Sequence, residues 1–402
     1  MIYLVGSGIG LQPKNIMTRT SSFLNHWASQ GMLAAFSSSP DPECPTWLDA
    51  EQLVARLMAP IVGARDDEVA MMGSLTANLH YLLATFYRPH EGGGCRTRII
   101  IEEGVFNSDL YAVQSHVAWH GLEPAVEIIP VARNRHDFLS TQAILETIDA
   151  HSNTAALLLL SGVQFDTGQL LEIPQITAYA RERSILVGWD LAHAVGNVEL
   201  RLHDWNVDFA VWCSYKYLNA GPGATGGLFL HGKHGTSEVN PRLSGWWGMP
   251  VSQRFTLQKQ YVPNAGASRF QLSSPSILDI TAVTASLVIF EKAGMRAIVE
   301  KSIKLTGYLE TLLDSLENPG LSAWPLWTII TPRDIKYRGA MLSLRWYEPE
   351  CLERVVGYLK VRGVLVDVRK PDIMRITPAP LYNTFEEINH FVEELRRAVA
   401  EA

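Results

Sequence analysis

Charge is scarce in this chain. Only 19% of its 402 residues are Asp, Glu, Lys or Arg, against 47% hydrophobic, too little charge and too much apolar material for a disordered protein. The balance is mildly acidic, 34 Lys+Arg against 41 Asp+Glu, for a formal charge of −7. No basic run occurs, which argues against a nucleic-acid binder, whose affinity rests on neutralising phosphates. Cysteine is rarer still. Cys44, Cys95, Cys213 and Cys351 are scattered, without a CxxC pair or histidines at zinc-finger spacing, so no disulfide framework or zinc ribbon is expected and a soluble, cytoplasmic protein is. Long apolar runs are also missing. The longest, 155–160, stops at Ser161-Gly162, far short of a membrane span. No basic residue precedes the apolar start Met1-Ile2-Tyr3-Leu4-Val5, so no signal peptide is expected.

What is present is an alternation. Strand-like apolar runs at 97–101, 125–129, 155–160, 185–189, 209–212 and 227–230 are separated by helix-like stretches at 107–119, 140–150 and 173–183. Unalternated apolar strands between helices predict a sheet covered on both faces, hence mostly parallel. Earlier, 50–57 reads as a helix, 67–72 as a short strand, and a helix runs from Thr76 to about Tyr87, where Arg88-Pro89 ends it. Near Ser276 the texture changes. One long helix is expected from 277 to 293 and onward toward Leu316, followed by strands at 342–346, 364–368 and 374–376 and a helix at 385–399, the pattern of a smaller α/β domain. Gly6-x-Gly8-x-Gly10 follows a short strand, but Leu11 stands where a dinucleotide fingerprint needs glycine and no acidic residue follows about 20 positions on.

The chemistry concentrates between 185 and 227. Asp190 ends an apolar strand, where open α/β sheets place ligand-binding groups. The next apolar strand, Phe209-Ala210-Val211-Trp212, delivers Cys213-Ser214-Tyr215-Lys216-Tyr217. A lysine among aromatics after a buried strand is costly unless its amine is neutral or covalently engaged. An Asp ending one strand and a Lys following the next suit pyridoxal phosphate (PLP): the lysine forms the Schiff base and the carboxylate keeps the pyridine nitrogen protonated. A solvated lysine and a capping aspartate satisfy the same spacing. Ser74-Leu75-Thr76 opens a helix and can cradle a phosphate or simply cap it. Phe106, before Asn107-Ser108-Asp109, can stack on a ring or fill a core.

These residues belong to longer motifs, and with them the chain resembles kynureninase, a PLP enzyme of the aspartate-aminotransferase fold type. The resemblance covers nearly the whole chain. It is carried by Asp190-Leu-Ala-His-Ala-Val-Gly-Asn-Val-Glu-Leu, His203-Asp204-Trp205, Trp212-Cys-Ser-Tyr-Lys-Tyr-Leu-Asn219, Gly10-Leu11-Gln12-Pro13-Lys14, Leu75-Thr76-Ala77-Asn78-Leu79-His80, Gly245-Trp246-Trp247-Gly248, and Arg375 followed by Pro378-Ala379-Pro380-Leu381-Tyr382-Asn383. It implies a fold type I PLP-transferase α/β architecture, with a large, mostly parallel domain over 49–275, a smaller C-terminal domain over 276–402, and an N-terminal arm, 1–48, packing on the latter. Lys216 is implied as the Schiff-base lysine, Asp190 as the partner of the pyridinium nitrogen with His193 close by, and Leu75, Thr76 and Tyr215 as phosphate contacts. Tyr215 is also implied as a proton donor. Phe106 is implied over the ring, with Ser108, Asp109 and Ser161 supporting the cofactor. Trp246 and Ser274 are implied to reach the phosphate of a neighbouring subunit in a homodimer. Arg375 is implied to grip the substrate α-carboxylate, a task that suits its planar fork, beside Gly8 and Ser273.

The departures lie on the substrate side. The family's Gly-Asn-Ser-Leu-Gly opening is Gly6-Ser7-Gly8-Ile9-Gly10, so a pocket serine becomes Gly8. The segment 36–47 lacks the family's His and Arg, the Ser-Asn pair of the animal enzymes is Ser273-Ser274, and a tyrosine becomes Asp166. The implied activity is hydrolytic Cβ–Cγ cleavage of L-kynurenine or 3-hydroxy-L-kynurenine to alanine and the corresponding anthranilate, a hydrolase reaction of tryptophan catabolism. A PLP reaction on another amino acid, or a non-catalytic PLP-binding protein, are the rival expectations. No metal and no membrane enter any of them.

Overall fold

The computed structural model describes residues 1–37, 46–90, 96–235, 242–257, 259–316 and 325–401. Most of the departing segment at 36–47, the glycine loop at 92–94, Cys44 and Cys95 lie outside these residues. The first half of the chain runs β1 (Ile2–Leu4), α1 (Lys14–Gln30), α2 (Ala50–Val62), β2 (Val69–Met71), α3 (Leu75–Phe86), β3 (Arg98–Glu102), α4 (Asn107–Trp119), α5 (Pro124–Glu127), β4 (Ile128–Val131), α6 (Thr141–Ala150), β5 (Ala155–Ser161), α7 (Ile173–Glu182), β6 (Leu186–Asp190) and β7 (Phe209–Trp212). Then follow β8 (Gly227–Leu230), α8 (Gly232–Gly235), α9 (Val251–Arg254), α10 (Ile277–Ala293), α11 (Met295–Asp314), β9 (Trp327–Ile329), β10 (Leu342–Trp346), α12 (Pro349–Val361), β11 (Val364–Arg369), β12 (Ile373–Ile376) and α13 (Phe385–Glu401).

Seven strands form the larger sheet in the order β2-β8-β7-β6-β5-β3-β4. The pairs β3–β4, β3–β5, β5–β6 and β6–β7 are parallel, and only β8 runs against its neighbours. The apolar runs explain this. In β5, Leu158 and Leu160 join a core with Ile176 and Val187 on one face, while Leu157 and Leu159 join Leu79, Phe86 and Val113 on the other. A strand buried on both faces needs helices above and below, which short parallel crossovers supply. The carboxyl ends of β3, β5, β6 and β7 therefore meet along one edge of the sheet, and that edge carries the cleft.

The smaller sheet has the order β1-β11-β12-β10-β9. Its core gathers Leu305 and Leu309 of α11, Leu352 and Val355 of α12, and Phe391 and Leu395 of α13. The N-terminal strand β1 pairs parallel with β11, Ile2 opposite Val364, and Leu4 is fully buried there. Ile280, Val283 and Leu287 of α10 pack in the core of the larger body, whereas Leu305 of α11 packs in the smaller one. Gly294, with a φ of 75°, breaks the expected continuous helix, and the passage between cores falls within α11, between Ile298 in the larger core and Leu305 in the smaller one. Two further details differ from the sequence expectation. At 125–129 a helical turn with Pro124 in its first position precedes the strand, which begins at Ile128. Helix α1 carried no clear apolar stripe: only Arg19 and Phe23 are buried.

Candidate active site

Two chain segments build the floor of the cleft. Asp190 closes β6 opposite Ser161 of β5, and its Oδ1 accepts the Ala192 N–H at 2.7 Å. The tight turn that follows brings His193 round to the loop after β7, where Lys216 Nζ lies 2.8 Å from His193 Nε2. Burial, with the nearby Lys216, Arg375 and Arg369 charges, holds His193 well below its ordinary pKa, so the ring is neutral. Burial also pulls the Lys216 amine below its ordinary value, although Cys213 and Asp190 oppose this. A depressed ammonium sheds its proton more readily, as a nucleophilic lysine requires.

The wall comes from helix N-termini. Ser74 caps α3, its Oγ accepting the Ala77 N–H at 3.3 Å, so Leu75 and Thr76 occupy the first turn with outward-pointing N–H groups. Thr76 Oγ1 lies 2.5 Å from Ser108 Oγ, in the first turn of α4. Phe106 precedes α4 and meets Phe165 edge to face, centroids 5.3 Å apart. Leu75, Thr76, Phe106, Ser108, Ser161, Asp190, His193, Tyr215 and Lys216 all line this one cleft. Beneath it lie buried acids. Asp109 is lifted well above the carboxylate range by burial and by the adjoining Asp190 carboxyl. Glu102, at the end of β3, accepts the Ser161 hydroxyl at 2.8 Å, and burial pushes it up to about 7.

Not every expected site residue lines this cleft. Arg375, in β12, is fully buried behind it and reaches it through Phe165, whose carbonyl accepts Nη1 at 2.6 Å. Gly8 sits beside Asp367, a built Cβ coming 3.5 Å from its Oδ2. Trp246 is 43% exposed, with Ser273 and Ser274 also on the surface. Glu102, Phe165, Asp367 and Arg369 were not singled out from sequence. The signal for Glu102 was its place at the carboxyl end of an apolar strand, the same signal that marked Asp190. The Asp166 departure forms an ion pair with Arg133 at 2.8 Å, and Arg133 Nε also donates to the Glu103 carbonyl at 2.8 Å. This ties the loops carrying Phe106 and Phe165 together.

The sequence matches the class-V aminotransferase family over residues 2–324 and the kynureninase C-terminal domain over residues 298–395. Kynureninase 1 of Aspergillus oryzae is 48% identical over 98% of this chain and 82% of its own. Kynureninase 2 of Neurospora crassa is 47% identical over 99% and 86%. The fold is similar to a cysteine desulfurase from Thermococcus onnurineus, with a TM-score of 0.79 at 17% identity, covering 100% of this chain and 95% of that one. It is equally similar, at 0.79 and 19% identity over 98% and 96%, to a C-DES mutant with glycine covalently linked to its PLP cofactor. Fold and site together define a PLP-dependent enzyme of fold type I. Within that class the chain belongs to the kynureninase family.

The residues present fit the cofactor. Asp109 Oδ1 and His193 Nδ1 are buried polar atoms with no partner in the protein. The donor set suits each part of the molecule: a buried amine for the aldehyde, a strand-end carboxylate for the ring nitrogen, and two hydroxyls with a helix N-terminus for the phosphate.

Proposed function

We propose that this chain hydrolyses the Cβ–Cγ bond of L-kynurenine or 3-hydroxy-L-kynurenine, giving L-alanine and anthranilate or 3-hydroxyanthranilate. The observation that carries this is the similarity to curated kynureninases along 98% of the chain at 48% identity. When bound, PLP supplies a carbonyl carbon for the substrate amine and a ring that takes up the charge left at Cα.

Lys216 would hold the cofactor through Nζ, with Asp190 at the ring nitrogen and Phe106 over the ring face. His193, Ser108, Asp109 and Ser161 would support it, and Leu75, Thr76 and Tyr215 would hold the phosphate. Lys216 Nζ, its pKa lowered by burial, would take the Cα proton and return it. Its hydrogen-bond partner His193 is uncharged and fixes the direction of the amine. Burial pushes the Tyr215 phenol upward, so it stays protonated at neutral pH and can donate a proton. Arg375 would take the α-carboxylate in a bidentate pair, with Gly8 and Ser273 beside the substrate. Water would add its oxygen to the γ-carbonyl carbon, which leaves as the carboxylic acid when the Cβ–Cγ bond breaks, and Cβ would take a proton from Tyr215 to become the methyl of alanine.

We further propose a cytoplasmic homodimer in which Trp246 and Ser274 complete the phosphate site of the neighbouring subunit. Trp246 supports this: it stands on the surface in an aromatic cluster with Phe255 (5.8 Å between centroids) and, through Phe255, Phe36 (5.9 Å). No helix among the described residues is long and apolar enough to cross a membrane.

The test is to incubate PLP-loaded protein with each substrate and quantify alanine and both anthranilates. Stoichiometric products, abolished in Lys216→Ala, are expected. A second reading, cleavage or elimination on another amino acid, is favoured by the Asp166–Arg133 pair and by Gly8. It predicts a change in cofactor absorption with kynurenine but no anthranilate.

A further inference from the structure

The guanidinium assigned to the substrate carboxylate already meets a carboxylate of the protein. Strands β11 and β12 are antiparallel, with Asp367 directly opposite Arg375, and Asp367 Oδ2 accepts from Arg375 Nη2. Nη1 is taken by the Phe165 carbonyl at 2.6 Å. Nε is buried and has no partner. Arg369 lies two residues along β11, on the same face as Asp367. Its Nη2 is 3.6 Å from the same Asp367 oxygen, and its Nε is likewise without a partner. Both guanidinium groups act electrostatically on Lys216 and His193, so this corner belongs to the cleft.

Counting charge gives the argument. Two arginines share one aspartate, and the Asp166 carboxylate nearby is bound to Arg133 at 2.8 Å. One positive charge is left over in this corner, between the fully buried Arg375 and the 39% exposed Arg369. That surplus suits one incoming carboxylate. The hydrogen bonds already made use one N–H each of Nη1 and Nη2, which leaves Nε–H and a second Nη N–H for a two-point grip.

We propose that Asp367 is a positioning residue for α-carboxylate recognition. It fixes the Arg375 fork against β11 and, with the Phe165 carbonyl, leaves the Nε edge to the substrate. It does not compete for the place of the ligand. The inference rests on the assignment of Arg375 to the substrate carboxylate.

The experiment compares PLP-loaded wild type, Asp367→Asn and Asp367→Glu in titrations followed by cofactor absorption. The two probes are L-alanine and ethylamine, which is alanine without its carboxylate. Asp367→Asn is expected to raise the half-saturating concentration of L-alanine at least about tenfold, the scale of one charge-assisted contact, and to leave ethylamine unchanged. Asp367→Glu, charged but displaced, should weaken L-alanine by a few-fold, again selectively. Unchanged or tighter alanine binding overturns the proposal, as does equal weakening of both probes. If Asp367→Asn melts before it can be titrated, the Asp367→Glu comparison decides by the same criteria. Failure of the kynurenine assay in wild type would overturn the substrate assignment and leave the alanine titration readable.

Discussion

At the scale of single residues, Glu102 makes the clearest pH prediction. It is fully buried, one oxygen holds the Ser161 hydroxyl at 2.8 Å, and the other has no partner. Burial lifts it from 4.5 to about 7. Between those values the folded protein holds a proton that the unfolded chain releases, so stability falls as pH rises through that window. The loss is absent below about 4.5 and complete above about 7, amounting to roughly 3 kcal/mol at most. Glu102→Gln does not titrate. Its melting temperature should therefore gain on that of the wild type between pH 5 and pH 8, whereas a constant gap would mean that Glu102 stays in one protonation state. Gly10 makes a second prediction. Its N–H donates to the Tyr215 carbonyl at 2.8 Å, and an added Cβ would collide with Asn219 Oδ1 and the Lys216 carbonyl. Gly10→Ala should cost about 1–3 kcal/mol in denaturant unfolding and weaken cofactor retention, because the obstructed backbone is that of the lysine loop.

At the scale of elements, the cap of α3 would couple helix stability to the phosphate binding proposed for Leu75 and Thr76. Removing the Ser74 hydroxyl should cost about 1 kcal/mol and fray the turn that presents Leu75 and Thr76. PLP affinity of Ser74→Ala, measured by equilibrium dialysis, should fall by several-fold; unchanged affinity would separate the cap from the phosphate site. Elements such as β5, β6 and β7 were legible in the sequence because burial on both faces leaves unbroken apolar runs. Asp190, which ends β6, and Lys216, in the loop after β7, stood out beside them. The same logic failed for α1, which packs against α10 with only Arg19 and Phe23 buried and with Asn15 Nδ2 donating to the Ala285 carbonyl at 2.8 Å. It also failed for Asp367 and Arg369. They lie in a strand in which only Val364 is fully buried, and only the β11–β12 register sets them against Arg375, a pairing that no local pattern encodes. The Gly294 break was hidden for a related reason, since helical periodicity persists on both sides of it.

At the scale of the whole molecule, three cores share one chain, one on each face of the larger sheet and one in the smaller body, and the cleft lies at the carboxyl edge of the larger sheet. The exposed aromatic cluster of Phe36, Trp246 and Phe255 gives the proposed dimer a direct test. Phe255, 59% exposed, should be silent in a monomer, but Phe255→Asp should shift sedimentation toward the monomer and make activity depend on protein concentration. The pairing of β1 with β11 has a further consequence, in time. Translation produces β1 long before β11, and until β11 emerges residues 2–4 lack the strand they pair with. Gly10, held between that strand and the Tyr215 carbonyl, cannot be anchored from both sides before then. The larger sheet can form while the ribosome is still working, but the loop of Lys216 is braced only after β11 has emerged, so a product truncated before β11 would carry Lys216 without that support.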